Sequence, residues 1–375
     1  MNRYYFDYAA TTPLIPEVKE AMKYAIDEIY GNPSSIHQHG RTAKNEVEAA
    51  RKKVASLLNA SLGEVFFTAG ATESNNTALI KSVVDLGVTR IISSPTEHHC
   101  ILHTLNYLKS KHDIEISYLP VNNKGDIDLD ELFRQLENSD KKTLVALMHA
   151  NNEIGTIHPI ESIGHLCKSQ NALFLCDAAQ TFGKIPIDLQ ALNIDFLAAS
   201  GHKIYAPKGV GILYINEDVT ISPLLHGGAQ ERNMRSGTEN TIGIIGFGTA
   251  AEKASQDMQE RHERILQIRH RIIDEFVNAH DDVKLNGHDS DQSLPNILNI
   301  NLPKNNKTDL LVFNLDIAGI SASAGSACAS GVEQASHVLQ ALDPNDLNNS
   351  LRVSFSHFTE DEAVDYLIKT LNGLI

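Results

Sequence analysis

Residues 173–203 read LFLCDAAQTFGKIPIDLQALNIDFLAASGHK, and this stretch decides the class of fold. Its two apolar runs, 173–176 and 196–199, each predict a short buried strand followed by polar residues. Asp177 follows the first run, and Lys203 follows the second, 26 residues later. In parallel sheets, ligands collect beyond the carboxyl ends of the strands. We therefore expect Asp177 and Lys203 at neighbouring strand ends on one edge of a sheet.

The same pattern extends on both sides of this stretch, from residue 64 to residue 215. Further short apolar runs alternate with amphipathic segments, at residues 64–68, 90–93, 116–119 and 144–148. Strands that alternate with helices predict an α/β fold, with a large, mostly parallel sheet covered by helices. A polar or glycine-bearing loop follows each predicted strand, and these loops are where we expect the chemistry.

Beyond this region the chain changes character. One long, charged helix is predicted from Gly246 to about His280, and a smaller α+β unit follows it. That unit has predicted strands at 294–300 and 351–355, a helix near 309–315, and a last helix opened by the capping-box sequence TEDE at 359–362. We predict a large cofactor-binding domain over residues 14–255 and a small domain formed by residues 1–13 and 256–375.

The composition of the 375-residue chain excludes several classes of protein. Apolar residues make up 42% and charged residues 21%, which is typical of a globular protein and not of a disordered one. A net charge of −15 argues against direct binding of nucleic acid or of an anionic membrane. No apolar run approaches the roughly 18 residues of a membrane-spanning helix, and no signal peptide is evident, so we predict a cytoplasmic protein. The four cysteines form no CxxC pair.

An acid and an amine at adjacent strand ends are the pair that a pyridoxal-phosphate enzyme needs. The lysine, Lys203, would bond the cofactor aldehyde, and the carboxylate, Asp177, would keep the ring nitrogen protonated. The alternative is a surface lysine and a helix-capping aspartate, because both are common at strand ends.

A cradle for the cofactor phosphate is predicted at residues 69–74, which read AGATES. They follow one predicted strand and precede a helix, so that backbone amides, a hydroxyl group and the helix dipole converge on an anion. Ser200 and His202 add a hydroxyl and an imidazole beside Lys203. The alternative is an ordinary turn and helix N-cap.

His98 also follows a predicted strand end, where its ring can stack on a planar cofactor and move protons near neutral pH. With His99 and Cys100 it also allows a metal site, but no closing ligands at zinc-site spacing are evident, and we predict no resident metal. Asn152 and Gln180 are polar residues at strand ends that either contact a ring or satisfy loop backbone.

Two further segments have sequence patterns that bear on function. Residues 246–251, GFGTAA, match a dinucleotide-binding pattern, but an uninterrupted charged helix follows in place of a second strand, and we reject that interpretation. Residues 321–331, SASAGSACASG, are small and favour neither helix nor strand, which predicts a mobile loop that carries one thiol, Cys328. Cys167 and Cys176 lie in or beside predicted regular elements and are interpreted as packing residues.

In order along the chain, these segments resemble the cysteine desulfurases of the NifS and IscS type, within the class V aminotransferase-like pyridoxal-phosphate enzymes. The resemblance spans nearly the whole chain and rests on the motifs DYAATTP at 7–13, GNPSS at 31–35, AGATES at 69–74, NNEIG at 151–155, SGHK at 200–203, RSGT at 235–238 and the Cys328 segment. It implies fold type I of the pyridoxal-phosphate-dependent transferases. The Cys328 segment resembles the long-loop group of the family.

The resemblance implies a role for each candidate residue. Lys203 would bond the aldehyde, Asp177 would face the pyridine nitrogen, and His98 would stack over the ring. The phosphate would be held by Ala71, Thr72, Ser200 and His202, and the ring would lie near Asn152 and Gln180. Thr238 occupies the motif position whose threonine reaches the phosphate of the partner subunit, which implies a homodimer with shared active sites. Arg352 would bind the substrate carboxylate, together with Asn152, because a guanidinium pairs with a carboxylate through two hydrogen bonds.

The family reaction removes sulfur from L-cysteine and leaves L-alanine. Cys328 would take the sulfur as a persulfide and pass it to an acceptor protein for iron–sulfur cluster assembly, tRNA thiolation or thiamine synthesis. The resemblance also implies that Cys328 could bind an iron–sulfur cluster transiently, but only while the protein is in complex with a scaffold protein. Two alternatives stay open: another class V enzyme, such as a selenocysteine lyase or an aminotransferase, and a sulfur-relay protein that activates a partner and has a vestigial site.

Overall fold

The computed structural model describes residues 3–137, 139–324, 336–346 and 348–375. The strands are β1 Tyr4–Tyr5, β2 Val65–Thr68, β3 Arg90–Ser93, β4 Glu115–Tyr118, β5 Thr143–Met148, β6 Leu173–Asp177, β7 Phe196–Ser200, β8 Gly211–Ile215, β9 Lys284–Asn286, β10 Ile297–Leu302, β11 Ile320–Ser321, β12 Ser323–Ala324 and β13 Asn349–Ser354. The helices are α1 Pro16–Glu28, α2 Gln38–Leu58, α3 Ala71–Val84, α4 His99–Lys111, α5 Leu129–Glu137, α6 Ile160–Ser169, α7 Thr241–Ile272, α8 Leu311–Ile317, α9 His337–Leu342 and α10 Asp361–Asn372.

The large sheet has the strand order β2-β8-β7-β6-β5-β3-β4. Strands β7, β6, β5, β3 and β4 are parallel, and in β5 and β7 every residue is buried. Strands that are buried on both faces need helices on both sides of the sheet. Two apolar clusters, one on each side of the sheet, contain the side chains by which helices pack on these strands. The predicted α/β fold with a large, mostly parallel sheet is confirmed.

Strand β8 is the exception, because it runs antiparallel to both of its neighbours, β2 and β7. Its first residue, Gly211, lies against the loop that follows β2: a Cβ at Gly211 would lie 2.6 Å from the Cα of Gly70. This close approach of two backbones brings the end of β2 beside the end of β7. The antiparallel strand therefore places the loops after β2 and β7 side by side.

Helix α7 connects the two apolar cores of the chain. Phe247 and Ala250 pack in the core beside the large sheet, and Ile268 and Ile272 pack in the core of the second sheet. The GFGTAA segment lies within this helix, which confirms that it is not a dinucleotide-binding turn. A Cβ at Gly248 would lie 2.6 Å from the Cα of Ala50 in α2, so the small residue lets the two helices pack closely.

The second sheet is antiparallel, with the order β12-β13-β10-β9, and β1 pairs in parallel with β11. This part of the chain has the predicted α+β character, while the domain division at residue 255 stays a prediction. Two details of the prediction are wrong. Residues 320–321 and 323–324 form short strands because they pair with β1 and β13, and α10 begins after Glu360, whose side chain makes no capping hydrogen bond.

Within the described parts of the chain, no helix combines the length and the apolar character that crossing a membrane requires.

Candidate active site

A cavity of about 850 Å³ lies at the carboxyl ends of the parallel strands. Its walls come from the loops after β2, β3, β5, β6 and β7, together with β13 and the segment that follows β1. The structure brings ten of the predicted site residues together there: Ala71, Thr72, His98, Asn152, Asp177, Gln180, Ser200, His202, Lys203 and Arg352. Such a cavity is large enough for a cofactor and a small substrate.

The loop after β2 forms an anion cradle at the N-terminus of α3. Gly70 has φ 153° and ψ 174°, a backbone conformation that only glycine adopts readily. A Cβ at this position would lie 3.4 Å from the Ser200 hydroxyl oxygen, so Gly70 and Ser200 lie side by side at the cradle. The first amides of a helix lack intrahelical partners, so those of α3 are available to an anion. His202 adds an imidazole, whose pKa falls to about 4 because of burial and the nearby Lys203 charge.

Asp177 ends β6 and is buried, with 6% of its surface exposed. Its carboxylate accepts hydrogen bonds from the Asn75 side-chain amide at 2.7 Å and from the Ala179 backbone at 2.9 Å. Burial raises the pKa of Asp177, although the hydrogen bonds from Ala179 and Asn75 lower it in part. The carboxyl group is therefore fixed in direction and is placed to share a proton with a basic group in the cavity.

Lys203 lies in the tight turn after β7, and its amine points into the same cavity. The Nζ atom donates to the carbonyl oxygens of Ala9 at 2.6 Å and Ala10 at 2.8 Å. Burial, followed by the charge of Arg352, lowers the pKa of Lys203 from 10.5 to about 8. A substantial fraction of this amine is therefore neutral, and nucleophilic, near physiological pH.

His98 is the N-cap residue of α4. Its Nδ1 atom accepts a hydrogen bond from the Cys100 backbone amide at 3.1 Å, so a neutral ring carries its proton on Nε2. Burial lowers the pKa of His98. The ring is therefore a neutral imidazole whose orientation is set by the helix cap, which suits a group that takes up and returns a proton.

Arg352 projects from β13 into the cavity. Nη1 donates to the Asn152 carbonyl oxygen at 3.0 Å, and Nη2 pairs with the Asp7 carboxylate at 2.9 Å. The buried Nε atom has no hydrogen-bond partner among the described residues. The guanidinium thus keeps one donor that no described residue satisfies.

Sequence reasoning missed three residues that shape this site. Asn75 holds Asp177 from α3, and Asp7 pairs with Arg352. Lys184 donates to the Gln180 side chain at 3.2 Å, and burial lowers its pKa to about 7. Asn75 directly follows the cradle, four residues after Ala71, and Lys184 lies four residues after Gln180. This spacing is the only signal for these two residues.

Among the described residues, one predicted site residue, Thr238, does not line the cavity. Thr238 is exposed and lines a separate, smaller cavity with Glu231 and Arg235, so its predicted role across a dimer stays a prediction. Cys328 lies outside the described residues. Cys167 and Cys176 are buried and burial raises the pKa of both thiols, which fits their interpretation as packing residues.

His98, His99 and Cys100 do not form a metal site. Burial raises the pKa of the Cys100 thiol to about 12. No group of three or more His, Cys, Asp or Glu side chains within the described ranges could hold a metal ion.

The strand order and the cavity at the strand ends define an α/β enzyme site in which an amine, a carboxyl, an imidazole and a guanidinium converge. The family model described as aminotransferase class-V matches residues 4–367, and the chain belongs to that family. The resemblance found in the sequence is thereby confirmed.

Similar proteins carry a more specific name. The chain is 44% identical over 376 residues to a cysteine desulfurase IscS of Dictyoglomus turgidum, covering 99% of this chain and 94% of that protein. It is 41% identical to a putative cysteine desulfurase IscS 1 of Bacillus subtilis, covering 100% and 99% of the two chains.

Solved structures agree with this relationship. A NifS-like protein superposes with a TM-score of 0.90 at 37% identity, covering 99% of this chain and 98% of that one. A protein described as SspA in complex with cysteine superposes with a TM-score of 0.82 at 32% identity, covering 96% and 100%.

Proposed function

We propose that this protein is a pyridoxal-phosphate-dependent cysteine desulfurase that converts L-cysteine to L-alanine and transfers the sulfur to Cys328. One observation carries the proposal: a buried amine of lowered pKa, Lys203, shares a cavity with the buried Asp177 carboxyl and with Arg352. The names of the similar proteins and the cysteine-bound structure of one of them support the choice of substrate.

The residues of the cavity fit pyridoxal phosphate. The cradle at Gly70, whose backbone conformation favours glycine, offers helix amides and the Ser200 hydroxyl group to a phosphate. Thr72 and His202 line the same cavity and would also hold the phosphate. Lys203 would bond the aldehyde, and Asp177 would face the ring nitrogen. Asn152 and Gln180 line the wall between these groups. The bound cofactor supplies an electron sink for the substrate Cα.

The remaining steps belong to side chains of this protein. Arg352 binds the substrate carboxylate through the donors that the Asn152 carbonyl and Asp7 leave unused. The neutral imidazole of His98 and the Lys203 amine both line the cavity and are the bases that move protons at the substrate. Asp177, held by Asn75, keeps its position while these protons move.

The sulfur transfer balances without any further oxidant or reductant. The Cys328 thiolate attacks the substrate sulfur, so an S–S bond forms as the C–S bond breaks. The electron pair of the broken bond stays with the substrate carbon, which takes up a proton. L-cysteine and the Cys328 thiol thus give L-alanine and a Cys328 persulfide, and the persulfide sulfur then passes to a thiol of an acceptor protein.

The sulfur acceptor, the cellular location, the oligomeric state and the domain bounds of the enzyme are part of the same proposal. The acceptor is an iron–sulfur scaffold, a tRNA-thiolating enzyme or a sulfur carrier of thiamine synthesis, since each takes the same persulfide. The enzyme is a cytoplasmic homodimer in which Thr238 reaches the phosphate in the partner subunit. Its large domain spans residues 14–255, and residues 1–13 and 256–375 form the small domain.

The substrate range tests the proposed reaction. Purified protein loaded with pyridoxal phosphate is incubated with L-cysteine, L-selenocysteine or an L-amino acid and keto acid pair, and alanine, sulfide, selenide and transamination products are measured with a reductant present. We expect alanine and sulfide from L-cysteine. A protein that forms transamination products and no sulfide is an aminotransferase, and one that uses only L-selenocysteine is a lyase, so either result would refute the proposal.

The uptake of the cofactor should depend on pH. The rate at which cofactor-free protein bonds pyridoxal phosphate is expected to rise with pH through about 8, since only the neutral Lys203 amine attacks the aldehyde. The growth of the visible absorption band after mixing measures this rate. In Arg352→Gln the midpoint should move to higher pH, because the Arg352 charge lowers the pKa of Lys203. A midpoint near the ordinary lysine value of 10.5 in the unsubstituted protein would contradict the burial argument.

A further inference from the structure

Glu73 is an acidic side chain in the wall of the active-site cavity, beside the cradle at Gly70. It lies in the first turn of α3, and its carboxylate accepts a hydrogen bond from the Ala69 backbone amide at 2.9 Å. Ala69 and Gly70 form the loop between β2 and α3, so this bond fixes the loop from which the cradle is built. The same bond holds a negative charge at a site that would receive a phosphate.

The charge of Glu73 opposes the binding of an anion. Only 16% of the Glu73 side chain is exposed, so water and salt screen its charge incompletely. The amides at the start of α3 attract an anion through partial charges, whereas the carboxylate carries a full negative charge. An uncompensated Glu73 would therefore weaken the attraction that the helix N-terminus provides.

Arg235 compensates this charge from outside the cavity. Its Nε atom donates to Glu73 Oε1 at 3.0 Å, and its Nη2 atom donates to Oε2 at 3.5 Å. The Arg235 side chain is 26% exposed and does not line the cavity. The described contacts therefore connect Arg235 to the cradle through Glu73.

The segment that carries Arg235 is attached to β2, the strand that leads into the cradle. The buried Glu231 carboxylate accepts from the Phe67 backbone amide at 2.7 Å and pairs with the buried Arg51 guanidinium at 2.7 Å. Residues 231–233 have φ values of 44°, 56° and 68°, a left-handed conformation that residues other than glycine adopt rarely. Three such residues in succession persist only where the surrounding contacts hold them. The placement of Arg235 is therefore part of the fold and not a chance pairing at the surface.

We propose that Arg235 is a positioning residue for the cofactor phosphate: it neutralises the Glu73 carboxylate, so that this side chain fixes the cradle loop without repelling the phosphate. The inference rests on the proposed function, because the cofactor belongs to that proposal. The two charges then have opposite effects. Loss of the Arg235 charge weakens the binding of a phosphate group, and loss of the Glu73 charge strengthens it. A ligand without a phosphate is bound equally well in either case.

Two simpler roles for Arg235 predict different results. An ion pair that only stabilises the fold would change the binding of ligands with and without a phosphate to the same extent. An arginine that bonds the phosphate directly would be needed whether or not Glu73 is charged. The proposed role alone predicts that removal of both charges restores phosphate binding, because a double variant reports the coupling between two residues in contact.

The test compares pyridoxal phosphate with pyridoxal, which has the same aldehyde and no phosphate. The full chain, freed of cofactor, is titrated with each ligand, and the dissociation constants are measured by visible absorption. In Arg235→Gln we expect the affinity for pyridoxal phosphate to fall about tenfold, while the affinity for pyridoxal changes less than about twofold. Glu73→Gln keeps an oxygen acceptor for the Ala69 amide and should bind pyridoxal phosphate at least about twofold more tightly. The double variant should return to within about threefold of the unsubstituted chain.

Arg264→Gln is the matched control, because Arg264 forms a comparable ion pair with Asp361 at 2.9 Å and does not line the cavity. It should bind both ligands as the unsubstituted chain does. Glu73→Gln keeps the test decisive if Arg235→Gln folds poorly, since weaker binding of pyridoxal phosphate in it would overturn the inference.

Three further results would also overturn the inference. They are unchanged binding of pyridoxal phosphate in Arg235→Gln, an equal loss of affinity for both ligands in that variant, and a double variant that binds as weakly as Arg235→Gln. An unsubstituted chain that bound neither ligand would refute the proposed function itself, and this inference with it.

Discussion

Replacing Cys328 with alanine is expected to abolish the release of alanine from L-cysteine and to leave the visible absorption of the bound cofactor unchanged. The thiolate is the nucleophile that takes the substrate sulfur, and no other thiol is suited to replace it. Burial raises the pKa of Cys100 to about 12 and also raises the pKa values of Cys167 and Cys176. We expect a fall in the rate of at least about 10³-fold, measured as alanine formed per cofactor.

Cys167→Ala is the matched control for this prediction. Cys167 is a buried thiol of α6 that does not line the cavity, so its removal should leave the rate of alanine release unchanged. Release of alanine by Cys328→Ala at the rate of the unsubstituted protein would contradict the sulfur-transfer step. It would leave the cofactor assignment intact, because that assignment depends on other residues.

Replacing Lys203 with alanine should remove both the visible absorption band and the activity. Among the described residues that line the cavity, the Lys203 amine is the best suited to bond an aldehyde at neutral pH, since burial and Arg352 lower its pKa to about 8. It also serves as a base at the substrate, and loss of such a group costs about 10²–10⁴-fold in rate. Absorption spectra after dialysis with pyridoxal phosphate, together with the alanine assay, measure the two effects.

Lys168 provides the control for the lysine substitution. It is an exposed residue of α6 that does not line the cavity, and Lys168→Ala should keep both the band and the rate. If Lys203→Ala retained a band that survives dialysis and turned over L-cysteine normally, another amine would hold the cofactor. The half-buried Lys184, whose pKa falls to about 7, would then be the next residue to replace.

The part of the site that follows strand ends was predictable from the sequence. Asp177, Lys203 and the cradle at Gly70 each come directly after an apolar run, and the carboxyl ends of parallel strands meet at one edge. The regular spacing of strands and helices therefore predicted both the fold class and the place of these groups. For the same reason the GFGTAA segment was correctly excluded, because a helix with no following strand cannot build a dinucleotide site.

Contacts between distant parts of the chain were not predictable in this way. Asp7 and Arg352 are separated by 345 positions, and Asn75 and Asp177 by 102. Periodicity shows which face of an element is buried, but it does not show which element covers that face. The polar partners that orient the site residues are therefore visible only in the folded chain.

The direction of strand β8 and the first residue of helix α10 were not predictable from the sequence, for a different reason. An apolar run such as β8 has the same pattern whether it runs parallel or antiparallel to its neighbours, so the reversed strand beside β2 and β7 carried no signal. The TEDE sequence matches a capping box, but α10 begins after Glu360, and Thr359 bonds through its hydroxyl oxygen to the backbone amide of Ser356. A local pattern was here overridden by tertiary contacts.

The most direct test of the proposed reaction is a single turnover of the purified holoenzyme with one equivalent of L-cysteine per active site and no added reductant. Alanine is quantified in the quenched sample, and the peptide that contains Cys328 is examined by mass spectrometry. The account predicts one alanine per active site and the mass of one added sulfur on Cys328. Alanine without a modified Cys328, or a persulfide on Cys100, Cys167 or Cys176 instead, would contradict it.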